Sequence, residues 1–115
     1  MDAEAGMELV RAIREHAGLS LEEIREAGEH GADAGWGGFT YTADGEDFYR
    51  ANQRLIVAML SEDADEFGYA NVAEFVATFA RADMTDSDGG YECLCAWYAL
   101  ECAGRFLSDR QEARR

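Results

Sequence analysis

The residues best suited to chemistry are three cysteines within ten positions of one another, Cys93, Cys95 and Cys102. Thiolates can ligate metals, form disulfides or act as nucleophiles. On a helix, Cys93 and Cys95 point in different directions, so they cannot share a metal or a disulfide. Cys95 and Cys102 share a face but are two turns apart, about 10 Å, which is beyond the reach of a disulfide. The spacing therefore predicts buried free thiols in a reducing cytoplasm.

A second chemical candidate is the acidic segment Asp83–Gly90, together with Glu92. An EF-hand loop needs carboxylates at its first and twelfth positions when glycine is at the sixth. With Gly89 at the sixth position, Met84 and Cys95 occupy those two positions. We therefore predict a solvated acidic loop and no metal or other cofactor, with a looser divalent-cation site as the alternative.

Other catalytic or phosphate-binding arrangements are not evident. His16 and His30 have no neighbouring nucleophile in the sequence, so we predict no catalytic residues. The segment Glu29–Tyr41 contains four glycines but lacks both the G-x-G-x-x-G spacing and the lysine of a P-loop. Around Gly35–Tyr41 we expect a loop or short strand whose aromatic residues pack on the core or form a contact surface: Trp36, Phe39 and Tyr41.

Charge is the most unusual property of the chain. Its 115 residues carry 24 carboxylates, ten arginines and no lysine, for a net charge of −14. Residues 55–104 hold ten carboxylates against Arg81 alone, a net charge of −9. This balance argues against direct binding to nucleic acid or anionic membranes and favours a basic protein surface as the partner. Charge kept only for solubility is the alternative.

The hydrophobic pattern predicts one all-α domain, a bundle of four to five helices. Asp2 caps a helix that Gly18 ends, and Ser20 with Glu23 forms a capping box that begins the second helix. We expect Leu21 and Ile24 to anchor that second helix and Gly28 to end it. A tempting DNA-reading helix-turn-helix is excluded here, because its glutamates would face the phosphates.

The next two helices are predicted from residue 42 onward. Thr42 caps the longest one, whose apolar stripe runs from Phe48 through Asn52 to Phe67, with a kink or new start at Ser61. Gly68 ends that helix. Asn71 and Glu74 then begin another helix, with a complete i, i+3, i+4, i+7 stripe of Val72, Phe75, Val76 and Phe79.

The last predicted helix, Tyr91–Leu107, is apolar nearly all the way round. A helix with this pattern is buried, whereas a surface helix has a single apolar stripe. We therefore expect this C-terminal helix to form the centre of the bundle. An acidic N-terminal segment without an apolar core, and the absence of any run of about 20 apolar residues, predict a cytoplasmic protein without a membrane span.

Two stretches carry a resemblance to a known family. GWGGFTYTADGEDFYRANQRLI and LCAWYALECAGRF resemble segments of an uncharacterised family of small proteins encoded by tailed bacteriophages, over Gly31–Phe106. The resemblance implies a phage or prophage gene and carries no established activity. Phage antirestriction proteins are similar in size, helical content and charge, and they present carboxylates to grooves where nucleic acid would lie.

These observations lead to one functional hypothesis, a non-enzymatic inhibitor that blocks a host CRISPR effector complex or restriction enzyme. The rival is an adaptor that binds through the aromatic patch near residues 36–41. Either could act as a monomer or a homodimer. The predicted contact surface consists of three acidic clusters: Asp44, Glu46 and Asp47; Glu62, Asp63, Asp65 and Glu66; and Asp83, Asp86, Asp88 and Glu92.

Overall fold

A computed structural model describes residues 2–30, 43–83 and 91–113 of the chain. These residues form an all-α bundle of six helices, as the sequence predicts in class, and contain no strand. The helices are α1 (Ala3–Ala17), α2 (Leu21–His30), α3 (Ala43–Ala51), α4 (Gln53–Glu66), α5 (Val72–Asp83) and α6 (Tyr91–Ala113). The stretch Gly35–Tyr41 and the cap predicted at Thr42 lie outside the described residues.

The predicted caps of α1 and α2 are confirmed. The Ala5 N–H donates to Asp2 Oδ1 at 2.8 Å, and Gly18 has the left-handed φ of +70° that ends α1. Ser20 and Glu23 form the reciprocal box: the Glu23 N–H donates to Ser20 Oγ at 3.1 Å, and the Ser20 N–H to Glu23 Oε1 at 3.0 Å. Glycine at position 28 does not end α2, which runs on to His30.

The boundary between α4 and α5 follows the same local rules. Gly68 has a φ of +82°, and the Tyr69 N–H donates to the Ala64 carbonyl at 2.8 Å, so the chain turns where predicted. The Glu74 N–H then donates to Asn71 Oδ1 at 2.8 Å, and Glu74 Oε2 accepts from the Ala70 N–H at 3.3 Å. The turn at Gly68 and the cap formed by Asn71 and Glu74 are therefore both confirmed. Each of these signals depends on a few adjacent residues only.

The predicted longest helix is divided at Asn52 and not at Ser61, which lies inside α4. Both the backbone N–H and the side-chain Nδ2 of Asn52 donate to the Phe48 carbonyl, each at 3.1 Å. Asn52 itself has φ −124° and ψ 24°, outside the helical region. An asparagine side chain that competes with the backbone for a carbonyl favours such a break. The division raises the number of helices to six.

Helix α6 is the centre of the bundle, as predicted. Six consecutive residues, Cys95–Leu100, are buried, followed by Cys102 and Ala103. Each of the other five helices contacts α6, and α2 and α3 make the most extensive contacts. Ala96, Ala99 and Ala103 lie on one face of α6, where their small side chains allow a neighbouring backbone to approach closely.

Two predicted core anchors are wrong. Leu21 is 46% exposed, and Phe67 is 60% exposed. Ile24 alone anchors the first half of α2, with no exposed surface. Phe67 follows the last residue of α4, where the helical period that would place it on the buried stripe no longer applies.

Helices α1 and α6 are in close contact at Gly6. A methyl group added there would lie 2.5 Å from Cε1 of Phe106, and the rest of that ring edge is equally near. Arg110 lies over the Phe106 ring, with its guanidinium carbon 5.6 Å from the ring centre. Glycine at position 6 is therefore required by the ring and not by the backbone, which is helical.

We expect Gly6→Ala to lower the free energy of unfolding by about 1–2 kcal/mol, because the overlap with Phe106 outweighs the gain of about 1 kcal/mol in helix propensity. Urea denaturation measures the change. In a Phe106→Ala background the sign should reverse, since the space is then open. Stabilisation by Gly6→Ala in the wild-type background would contradict the contact.

Candidate functional site

The C-terminal end of α4 presents the densest group of exposed carboxylates among the described residues. Glu62, Asp65 and Glu66 are exposed, and Phe67 beside them is 60% exposed. We call these four residues the acidic corner. Its backbone is fixed because the Phe67 N–H donates to the Asp63 carbonyl at 3.0 Å and Gly68 turns the chain away.

Asp63, the fourth carboxylate predicted for this surface, is directed into the protein. Its Oδ2 accepts a hydrogen bond from the Tyr98 hydroxyl at 2.8 Å and lies 3.9 Å from Cys102 Sγ, which donates weakly to it. Asp63 is half-buried, whereas Asp65 is exposed. Its carboxylate therefore joins α4 to α6 and contributes less to an external surface than its neighbours.

A cluster of aromatic rings centred on Phe75 packs against the corner. The Phe67 ring centre lies 6.0 Å from that of Phe75, and Phe75 in turn lies 5.1 Å from Tyr69 and 5.3 Å from Tyr98. Phe75 is buried on α5 and Tyr98 is buried on α6. The exposed Phe67 ring is thus held by a rigid stack that reaches the central helix, as contact anchors at interfaces commonly are.

A shallow groove runs beside the corner, between the end of α4 and the start of α5. Its volume is about 510 Å³, and its lining includes Glu62, Asp65, Tyr69 and Asn71. The groove combines carboxylates, an aromatic ring and an amide on a concave surface. Such a surface suits a protruding basic side chain better than an anion, because two of its walls are negatively charged.

The charges of α4 run against its helix dipole. Its last turn contains carboxylates and no base, and its first turn contains Arg54 and no acid. Helices α1 and α6 have the opposite arrangement, with Glu4 and Glu92 in their first turns and basic residues in their last. Because the C-terminal end of a helix carries partial negative charge, Asp65 and Glu66 destabilise α4.

The other predicted contact residues are placed elsewhere. Glu46 and Asp47 lie on α3, where Glu46 Oε2 is 3.7 Å from Arg50 Nη2 and Asp47 is exposed. Glu92 is half-buried in the first turn of α6. The Tyr49 and Tyr91 rings, 6.2 Å apart and perpendicular, bring α3 against this end of α6. These residues form a second acidic region, distinct in sequence from the corner.

Four predicted contact residues cannot be placed as side chains. Asp44 and Asp83 belong to α3 and α5, but their side chains lie outside the described part of the structure. Asp86 and Asp88 belong wholly to the stretch between α5 and α6 that is outside the described residues. For these four, the contact role stays a prediction from sequence.

The two described thiols are buried and free, as the sequence predicts. Burial raises the pKa of Cys95 to about 12, although a hydrogen bond with Tyr91 lowers it. Burial also raises the pKa of Cys102 to about 12, against a lowering by Arg105 and with a further rise from Asp63. Burial raises the pKa of Tyr98 well above its usual range, and the nearby Cys102 and Asp63 add to the rise. Neither thiol is therefore suited to nucleophilic chemistry.

Within residues 2–30, 43–83 and 91–113, no three histidine, cysteine or carboxylate side chains come together as metal ligands. In that same part of the chain, no helix has the length and apolar content required to cross a bilayer.

The chain was compared with protein-family models, with curated proteins and with solved structures, and none of the three comparisons found a match.

Two features of the site were not predicted from the sequence, although the sequence contains a signal for each of them. Asp63 continues the i, i+3, i+4, i+7 series that begins at Ile56 and includes Met59 and Leu60, so helical periodicity already places it on the buried face. Phe67 immediately precedes the glycine that ends the helix. An apolar residue at that position lies beyond the last helical residue, so it does not join the buried stripe of α4.

The Asp63–Tyr98 hydrogen bond predicts a specific stability pattern. We expect Tyr98→Phe and Asp63→Ala each to lower the free energy of unfolding by about 1–3 kcal/mol, because each leaves a partly buried polar group without its partner. Asp65→Ala is the matched control and should not lower stability. A double-mutant cycle by urea denaturation measures the coupling, and additive single effects would contradict a shared bond.

Alkaline pH should lower the free energy of unfolding, because buried thiols ionise more readily in the unfolded chain than in the folded protein. Because the folded-state pKa of Cys95 is about 12 and the ordinary value is 9.0, the thiol contributes fully to stability below pH 9 and progressively less as pH rises toward 12. No lysine titrates in this window. Between pH 8 and 10.5, Cys95→Ala should therefore lose about 1–2 kcal/mol less stability than the wild type. Identical losses in both proteins would show that the thiol ionises equally in the folded and unfolded states.

Proposed function

We propose that the chain is a non-enzymatic inhibitor whose acidic corner binds the basic, nucleic-acid-binding surface of a host defence complex, a CRISPR effector complex or a restriction enzyme. The corner takes the place of the polyanion that such a surface is built to hold. The observation that carries the proposal is the reversed charge of α4. Asp65 and Glu66 stand at the negative end of the helix dipole, with no ion pair to any described residue.

This arrangement of charge lowers the stability of the free protein. A carboxylate in the last turn of a helix destabilises it by about 0.3–1 kcal/mol when exposed at low salt. Repulsion between Asp65 and Glu66 and their neighbour Glu62 adds to that cost. A basic partner surface makes both the helix-dipole contribution and the repulsion between carboxylates favourable, since its cations neutralise the carboxylates and the helix end together. The corner is thus more stable in a complex with cations than alone.

The shape and charge of a nucleic-acid-binding surface also suit the acidic corner. A groove that binds DNA or RNA presents arginine and lysine side chains at fixed spacing. Rigid carboxylates lose less conformational entropy on binding than a flexible nucleic acid does. Phe67 adds a ring that can lie against a guanidinium, a contact of about 0.5–2 kcal/mol. Carboxylates around an exposed aromatic ring therefore favour an arginine-rich surface.

The remaining described carboxylates extend the same surface in the proposal. Glu46, Asp47 and Glu92 give the α3–α6 end a second negative region, which strengthens the long-range field that steers a basic partner toward the protein. The phage origin implied by the resemblance of Gly31–Phe106 agrees with an anti-defence role. In this proposal Asp63 positions α4 and does not contact the partner.

The test is the double charge reversal Asp65→Arg/Glu66→Arg. Inhibition of a panel of purified CRISPR effector complexes and restriction enzymes should fall at least about tenfold against the sensitive target. The free energy of unfolding should rise by about 1 kcal/mol at low salt, because arginine suits the C-terminal end of a helix. A gain in stability with a loss of inhibition excludes misfolding as the cause.

The matched control is Glu26→Arg/Asp109→Arg, which changes the net charge by the same amount at exposed positions on α2 and α6. It should leave inhibition within about twofold, apart from a slower association rate. Wild-type inhibition should weaken as salt is added. Full inhibition by the corner variant, or equal losses in both variants, would overturn the assignment of the corner.

A further inference from the structure

A groove of about 420 Å³ lies between α1 and the start of α2, and its charge is opposite to that of the acidic corner. Its apolar lining comes from Met7, Val10, Leu19 and Leu21, and Arg11 and Arg14 form its basic side. Glu15 also borders it. We call it the α1–α2 groove. A methyl group placed on Gly18, which also lines it, would meet no atom within 4 Å, so this end of the groove is open.

Two properties of the α1–α2 groove are unusual in this chain. Met7 and Leu21 are 36% and 46% exposed and are two of the four most exposed large apolar side chains among the described residues. Arg11 and Arg14 are exposed and make no ion pair with any described residue, although the chain has 24 carboxylates. An apolar surface beside two unpaired arginines fits an apolar group that carries carboxylates next to it.

We propose that the α1–α2 groove binds the acidic corner of a second copy of this chain. Phe67 of one copy enters the apolar part of the groove in the other. Asp65 and Glu66, its nearest preceding carboxylates, lie against Arg11 and Arg14. The contact joins two different surfaces and is therefore heterologous, so it assembles copies head to tail.

The acidic corner and the α1–α2 groove are complementary in apolar surface and in charge. Phe67 is the most exposed large apolar side chain among the described residues, and the groove contains apolar surface without a partner. The carboxylates of Asp65 and Glu66 immediately precede the ring in sequence, and Arg11 and Arg14 follow Val10 by one and four positions on α1. A groove of this volume is within the range of about 300–1,000 Å³ that accommodates a side chain of aromatic size with its neighbours.

The net charge of −14 opposes association of two copies only in part. At physiological salt, charges more than about 8 Å apart are largely screened, so the residues at the contact dominate the electrostatic energy. At this contact the charges have opposite signs. The small area predicts weak association, with a dissociation constant on the order of 100 µM.

The test is sedimentation equilibrium of the full chain at 0.15 M salt, between about 10 µM and 1 mM. The wild type should associate in this range. Arg11→Glu/Arg14→Glu and Asp65→Arg/Glu66→Arg should each weaken self-association about tenfold or more. An equimolar mixture of these two variants should associate again. The intact corner of the groove variant fits the intact groove of the corner variant, and the acidic groove of the first fits the basic corner of the second.

Restoration in the mixture excludes misfolding of either variant, and Phe67→Ala should weaken association in the same assay. The control Glu26→Arg/Asp109→Arg should associate at least as well as the wild type, because it reduces the net negative charge at positions away from both surfaces. A wild type that stays monomeric at 1 mM, or a mixture that does not associate, would overturn the proposal. The host-target hypothesis is tested separately, since Arg11→Glu/Arg14→Glu leaves the corner intact and should inhibit normally.

Discussion

The burial of α6 on all sides is the constraint on which the rest of the structure depends. Each of the other helices has one apolar stripe, and a short helix with one stripe is stable only when that stripe is covered. Cys95–Leu100 provide six successive buried positions, so helices can pack on α6 from several directions.

Burial of α6 also decides what its polar atoms can do. Tyr98 brings a hydroxyl into the interior, where an unsatisfied donor would be costly, and Asp63 of α4 accepts its hydrogen bond at 2.8 Å. The same tyrosine ring packs against Phe75 of α5. One side chain of the central helix therefore contacts both α4, which bears the acidic corner, and α5, whose Phe75 ring packs against Phe67. The chemistry of the core is inert, but it holds the charged surface in a single arrangement.

Much of the fold can be predicted because it depends on short-range patterns. Asp2, Ser20 with Glu23, and Asn71 with Glu74 each cap a helix through residues three or four positions away, and the structure confirms all three. The uniform apolar character of residues 91–107 predicts the buried helix for the same reason. The break at Asn52 is harder to foresee, since the competing bond of its side chain differs little in sequence from a normal turn of helix.

The site is only partly predictable, because exposure depends on which helix packs where. Four adjacent carboxylates look equivalent in the sequence SEDADE, yet Asp63 is drawn inward by a tyrosine 35 positions away. Phe67 looks like a core residue and is largely exposed, since Gly68 turns the chain before the ring can join the stripe. The pairing of Asp63 with Tyr98 and the exposure of Phe67 arise together. Both follow from the position of α5 against α4 and α6, which no local pattern specifies.

The placement of charge on α4 can be weighed against the stability of the whole fold. A cost of about 0.3–1 kcal/mol for each carboxylate at the helix end is small beside the 5–15 kcal/mol by which a domain of this size is typically stable. It is nevertheless a cost that asparagine, glutamine or arginine would remove without any change in the core. By contrast, the N-terminal ends of α1, α2 and α5 are capped by favourable residues. In the proposed function, a basic partner surface neutralises the carboxylates at the end of α4, beside the exposed ring of Phe67, and so removes this cost.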